Sequence, residues 1–131
     1  DTLDQFMKST VKICAEINMR SPHDAEDTTR FWILGKQEPK VTGEDKTSIC
    51  FAAKNRIGAL SDIFEPFKQH GVNITMWGVR PSKVREWEYY FFLDFLGHME
   101  EDAPQKAVAA LNDVCLEIKH LGSYPKSNDI L

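Results

Sequence analysis

The stretch "EWEYYFFLDFLG", residues 86–97, constrains the fold more than any other part of the chain. Its aromatic residues favour a pleated, packed surface, and the segment reads as one long strand. Successive strand side chains point to opposite faces, so Tyr89, Phe91, Leu93 and Phe95 share one face and Tyr90, Phe92 and Leu96 the other. Both faces therefore need cover, one from helices and one from another sheet or subunit. No apolar run is longer than Tyr89–Leu93, which is far too short to cross a membrane.

The neighbouring segments supply the cover. "TSICFAA" sets Ile49 and Phe51 on one side of a strand. Leu60, Ile63, Phe64 and Phe67 follow at i, i+3, i+4 and i+7, the stripe of an amphipathic helix that Gly71 ends and Pro66 is expected to bend. "VNITMWGV" reads as a strand and "RPSKVR" as a polar turn into the aromatic strand. After "EEDAP" a second helix carries Val108, Leu111, Cys115 and Ile118, with Asp102 as its cap and Pro104 in its first turn. A last short strand lies near "IKHLGSY". The order strand, helix, strand, strand, helix, strand predicts an α+β, ferredoxin-like unit: a four-stranded antiparallel sheet with both helices on one face.

Upstream, "TVKICAEI" and "RFWILGK" read as two strands joined by the polar "NMRSPHDAEDTT". Two strands alone are marginal in water, so they belong to a larger domain absent from this chain or pair with another subunit's copies. The proline- and glycine-bearing "EPKVTGEDKT" separates them from the compact unit. The expected division is an N-terminal fragment at 1–37, a linker at 38–46, the α+β unit at 47–126 and a frayed tail at 127–131. A start at Asp1 rather than Met fits a processed, trimmed or partly expressed product.

With 42% hydrophobic and 27% charged residues the chain has the balance of a globular protein, and without a signal-like N-terminus it is expected in the cytoplasm. Its net charge of −4 includes no basic block, which argues against nucleic acid as a partner. Cys14, Cys50 and Cys115 sit far apart among apolar residues and read as reduced core thiols. His23, His70, His98 and His120 show no metal-ligand spacing, so neither metal nor cofactor is expected.

The small residues of "RIGALSDIFEPFKQHGVNI" raise a question of their own. Gly58, Ala59 and Leu60 open a helix with little side chain, which suits either a sharp backbone turn or close approach of something to the main chain. Together with "RPSKVREWEYYFFLDFLGH" and the closing "LGSYP", this stretch resembles the ACT regulatory domain of prephenate dehydratases, monofunctional or fused to chorismate mutase. "DTTRFWILGK" is similar to the Thr-Arg-Phe motif that closes the catalytic domain of that family. The resemblance covers nearly all of residues 11–126. It implies a domain that pairs with a second copy, binds L-phenylalanine at the shared interface and mediates feedback inhibition of phenylalanine synthesis.

By the same resemblance, Asn55, Gly58, Ala59, Leu60 and Asn73 contact or shape the phenylalanine pocket, with Val79, Arg80 and Pro81 as its facing wall. Thr29, Arg30 and Phe31 take the catalytic positions. Prephenate loses its ring hydroxyl and carbon dioxide to give phenylpyruvate, and the departing oxygen needs a hydrogen-bond donor such as Thr29. Arg30 suits the substrate carboxylates or an ion pair that holds the loop. Two departures stand out: the family pattern Glu-Ser-Arg-Pro is here Gly78, Val79, Arg80 and Pro81, and Ile57 replaces a usual proline. Loss of the acid is expected to weaken or rearrange phenylalanine binding.

Only the last fragment of a catalytic domain is present, so a single chain is not expected to close an active site. Prephenate becomes a partner only if that remnant is completed, for instance in an interwoven tetramer rather than a homodimer. The alternatives are an oligomerisation module without ligand binding and a small enzyme acting through Thr29. A hydrolase is the weakest of these, because no G-x-S-x-G elbow is present.

Overall fold

The computed structural model describes residues 5, 9–20, 28–54, 56–81, 88–126 and 129–130, with backbone alone at 19, 20, 28, 29, 129 and 130. The aromatic strand lies inside a four-stranded antiparallel sheet. In chain order the elements are β1 (Lys12–Arg20), β2 (Thr28–Gly35), β3 (Asp45–Lys54), α1 (Ala59–Gln69), β4 (Ile74–Pro81), β5 (Glu88–Leu96), α2 (Asp102–Leu111), β6 (Leu116–Pro125) and β7 (Asp129–Ile130). The larger sheet runs β4-β5-β3-β6, and a smaller one runs β2-β1-β7. The ferredoxin-like arrangement expected from the sequence is the one observed.

Strand β5 is covered on both faces, as its composition requires. On one face Phe91, Leu93 and Phe95 join Ile49, Phe51, Ile63, Phe67, Ala107 and Leu111 in the core beneath the helices. Phe51 and Phe91 stack with ring centroids 5.6 Å apart, and Phe67 tilts onto Phe95 at 5.4 Å. Each such fully buried side chain is worth about 1.5–3 kcal/mol of transfer free energy. On the other face Tyr90 and Phe92 pack with Cys50, Leu121 and Tyr124 against Ile13 and Trp32 of the smaller sheet. The orphan strands thus serve as the second layer for the larger sheet.

Helix α1 ends as the sequence indicates. Gly71 adopts φ +69, its amide donates to Lys68 O at 3.2 Å, and the Val72 amide donates to Phe67 O at 2.8 Å. This pair of bonds is a Schellman motif, sealed by packing of Val72 and Phe67 in one core. Pro66 sits within the helix, buried in its C-terminal half.

Four expectations need correction. Helix α2 ends at Leu111, so Cys115 and Ile118 lie outside it. Asn112, Asp113 and Val114 follow, two side chains that compete with the backbone and one that is β-branched, and none favours another turn. Glu101, in extended conformation, holds the N-cap position in place of Asp102, and its carboxylate accepts from the His98 amide at 2.9 Å. The last strand is ten residues long, because β6 pairs with β3 along most of its length through two irregularities. The tail is not wholly frayed: Asp129 and Ile130 pair in parallel with Asn18 and Met19.

The polar segment between the sheets is tied down. Asp45 accepts from the Thr42 amide at 2.8 Å and hydroxyl at 2.7 Å, and from the Gly43 amide at 3.2 Å. The Glu100 amide donates to His98 Nδ1 at 3.1 Å, which leaves the proton on Nε2 to donate to the Pro39 carbonyl at 2.8 Å. Strand β3 begins at Asp45, where this clasp ends. Burial pushes the Cys50 thiol up to about 12 and the Cys115 thiol up to about 11, so both are inert core groups.

The two layers meet most closely at Gly122 of β6. A Cβ there would lie 2.7 Å from Ile13 N and closer still to Ile13 O, so main chain packs on main chain. Backbone atoms cannot swing aside as a side chain can. Gly122→Ala is therefore expected to cost about 3 kcal/mol, the upper end of overpacking penalties. A lowered urea midpoint checks this, and an unchanged midpoint refutes the close approach.

Candidate functional site

Gly58 holds the N-cap of α1 at φ 81, ψ 4, a left-handed conformation that L side chains resist, and offers no side chain to cap the helix. Its carbonyl accepts the Asp62 amide at 3.0 Å, while the Ala59 amide donates back to Arg56 O at 3.1 Å. A Cβ on Gly58 would meet nothing within 4 Å. The glycine is thus required by the turn, and the space above it is open.

That space is a pocket of about 420 Å³. Gly58, Ala59, Leu60 and Ser61 form one side, Trp77 and Val79 of β4 another, Tyr89 and Phe91 of β5 the floor, and Lys54 and Arg56 its charged end. Trp77 is held edge-on by Phe64, with ring centroids 5.6 Å apart. Arg56 also reaches Asp62 at 2.5 Å, an exposed ion pair. The pocket offers cations and a helix start to an anion, and an aromatic slot to an apolar body. None of these lining residues is acidic, so among the described residues an ammonium group finds no carboxylate here.

Of the residues expected in this pocket, Gly58, Ala59, Leu60 and Val79 line it. Asn73 does not: it follows α1 at the opposite end from Gly58, and its carbonyl accepts the Leu96 amide at 2.9 Å. Arg80 pairs with Tyr90 and Val79 with Phe91, so strand alternation turns Arg80 to the far face of the sheet. Pro81 is the exposed last residue of β4, and Asn55 lies outside the described residues, as does Trp87. Gly78, which stands where the family pattern has an acid, also faces away from the pocket, paired with Phe92. Lys54, Arg56, Ser61, Trp77, Tyr89 and Phe91 escaped sequence reasoning because only the fold brings them together.

The other candidate segment lies between the sheets. Thr29 is described through its backbone, which pairs with Met19, and the next two side chains diverge. Phe31 is half exposed on the outer face of the small sheet. Arg30 turns inward, over the Trp32 ring at 4.9 Å, and its guanidinium pairs with Glu16 and with Asp94, the latter at 2.5 Å. Glu16 also takes Lys46 at 2.7 Å. Ser48 donates to Asp94 at 2.6 Å, so the Tyr124 hydroxyl, 2.6 Å from Ser48 Oγ, donates to Ser48 in turn. Burial opposes the charge on Arg30, but Asp94 and Glu16 raise its pKa above the ordinary value. Burial, then Asp94, raises that of Tyr124.

Glu16 and Asp94 were missed by sequence reasoning, although an acid between Leu93 and Phe95 in a strand buried on both faces is itself a signal of a hidden partner. A third arrangement was also missed. His120 places Nε2 3.0 Å from Ser123 Oγ and Nδ1 3.4 Å from Glu38, the connectivity of a Ser-His-acid triad. Ser123 is fully buried, however, and also bonds Thr47 at 2.7 Å.

The comparisons with known proteins accord with this geometry. The ACT domain family matches residues 48–113, and the chain belongs to it. A bifunctional chorismate mutase/prephenate dehydratase of Aquifex aeolicus is 45% identical over 109 residues, covering 82% of this chain and 30% of that protein. A prephenate dehydratase of Arthrobacter aurescens, solved in complex with L-Phe, aligns with TM-score 0.72 and 29% identity over 79% of this chain and 35% of its own. A solved structure of a novel type of quorum quenching acylase aligns with TM-score 0.85 and 25% identity over 97% of this chain and 65% of its own. The chain spans about a third of the length of the curated relatives it matches and corresponds to their C-terminal portion. It thus carries an ACT domain of the kind found in prephenate dehydratase homologues. Among the described residues no helix is long and apolar enough to cross a membrane.

Removing one partner of a buried ion pair strands the other's charge, so Asp94→Asn is expected to cost about 3–5 kcal/mol. Replacing exposed Asp62 by Asn should shift stability by less than about 1 kcal/mol. Paired urea denaturation curves check the contrast, and equal losses would refute the structural weight given to Arg30.

Proposed function

We propose that this chain is the L-phenylalanine-sensing, dimer-forming part of a prephenate dehydratase, working in the cytoplasm, and that occupancy of the Gly58 pocket restrains phenylalanine synthesis. The observation that carries the reading is the left-handed glycine at the start of α1, opening onto an aromatic-walled pocket with cations at one end. The carboxylate of an amino acid suits the helix start and Arg56, and its ring suits the slot between Trp77, Tyr89 and Phe91.

The geometry also supports the pairing of two copies. A helix of eleven residues is about 16 Å long, so Gly58 and Asn73 of one chain cannot both touch a single amino acid. Strand β4 is an edge of its sheet, and exposed Met76, Trp77 and Val79 leave it apolar. Antiparallel, two-fold pairing of two such edges would bring the partner subunit's Asn73 to the Gly58 pocket. Its side-chain carbonyl supplies an acceptor for the ammonium group. In the complete enzyme, Thr29 would then act on prephenate in a catalytic domain of which this chain holds the end.

A second reading, an amide hydrolase, draws on the likeness to the acylase structure and on the Ser123, His120 and Glu38 connectivity. The burial of Ser123 weighs against it. Hydrolysis of an N-acyl amide that disappears in Ser123→Ala would establish it.

Calorimetric titration of L-phenylalanine, with L-tyrosine and L-leucine as controls, tests the first reading. Saturable binding selective for phenylalanine is expected, and no binding to folded protein would reject it. Gly58→Val and Asn73→Ala are each expected to weaken binding at least tenfold, about 1.4 kcal/mol. Mixing the two variants should restore one intact site per heterodimer, because one protomer then keeps Gly58 and the other Asn73. Failure of the mixture to bind would exclude a shared site.

A further inference from the structure

A second cavity, of about 320 Å³, lies on the opposite face of the same sheet, between it and the N-terminal strands. Its walls are mainly apolar, from Trp32, Met76 and Phe92, with Arg30 and Asp94 as its charged members. Gly78 opens it: a Cβ there would meet nothing within 4 Å. Any larger side chain at 78 would project into this space, because 78 shares the face of Phe92 and Asp94.

The charged groups around the cavity are unequally satisfied. One Asp94 oxygen takes Ser48 and the other Arg30 Nη2. Glu16 takes Lys46 on one oxygen, and its other oxygen lies against Arg30 Nε as an ion pair without a hydrogen bond. Arg30 Nη1, by contrast, donates to the Met76 thioether at 3.4 Å, and sulfur of this kind is a weak acceptor. Two carboxylates thus hold the Nε and Nη2 side of the guanidinium, while Nη1 faces the apolar slot with only a weak acceptor. Met76 is half exposed in the single chain, on the edge proposed above to pair with a second copy, and belongs to neither buried core cluster.

We propose that this inter-sheet cavity is a second small-molecule site, taking a carboxylate borne on a flat apolar body. The carboxylate replaces the Met76 thioether on Arg30 Nη1, and the apolar body fills the space beside Gly78 against Trp32 and Phe92. A ligand there bridges β2, which carries Thr29, to β4 and β5. The site is distinct from the Gly58 pocket, with which it shares Trp77 alone.

Phenylacetate and its neutral isostere phenylacetamide are the probes, followed by calorimetry and by fluorescence of Trp32 and Trp77. Saturable phenylacetate binding is expected, at least tenfold tighter than that of the amide. Gly78→Leu, which fills the cavity, should abolish it. Met76→Glu, which supplies Arg30 with an internal carboxylate, should abolish it as well in protein that light scattering shows to keep the parent's oligomeric state, so a folding failure of the first variant does not leave the question open. Absence of phenylacetate binding, equal binding of the amide, persistence in Met76→Glu, or loss on Gly58→Val instead would each overturn the proposal.

Discussion

The burial of β5 on both faces governs the molecule. A strand that presents Phe91, Leu93 and Phe95 to one side and Tyr90 and Phe92 to the other cannot be satisfied by a two-layer domain. Helices α1 and α2 take the first face, and the N-terminal strands take the second. Those strands need the larger sheet equally, since a pair of strands gains little stability alone. What reads in sequence as an appendage is the third layer of one structure.

Polar chemistry fixes how that third layer sits. Apolar packing between two sheets tolerates sliding, whereas an arginine fork between two carboxylates has one register. Arg30 therefore orients β2 on the sheet, and it does so from the position next to Thr29. Its inward pairing with Glu16 and Asp94 agrees with the ion-pair role weighed for it at the outset and leaves the substrate-carboxylate role without a described contact. The same strand that receives Arg30 through Asp94 forms the floor of the Gly58 pocket through Tyr89 and Phe91.

Local chemistry was legible in the sequence and long-range chemistry was not. Gly58 and Gly71 announced the two ends of α1 because their roles depend on backbone angles that few other residues adopt. The alternation of β3 and β5 announced the sheet. The end of α2 was misplaced because Cys115 continues the apolar spacing, yet packs into that core from the approach to β6. Arg80 was grouped with Val79 as neighbours in a motif, although neighbours on a strand face opposite ways. Glu16, Lys46, Ser48, Asp94 and Tyr124 come from four strands, and nothing in a linear pattern ties an acid at 16 to a guanidinium at 30 and a carboxylate at 94.

The four charges at the centre of that cluster, Arg30 and Lys46 against Glu16 and Asp94, cancel. Mobile ions screen exposed pairs strongly and buried ones much less. Arg56 with Asp62, and Lys106 with Asp102, lie at the periphery in solvent. Rising ionic strength thus loosens the rim of the Gly58 pocket while the union of the two sheets holds. Salt thus acts on the rim of the candidate pocket and spares the scaffold beneath it.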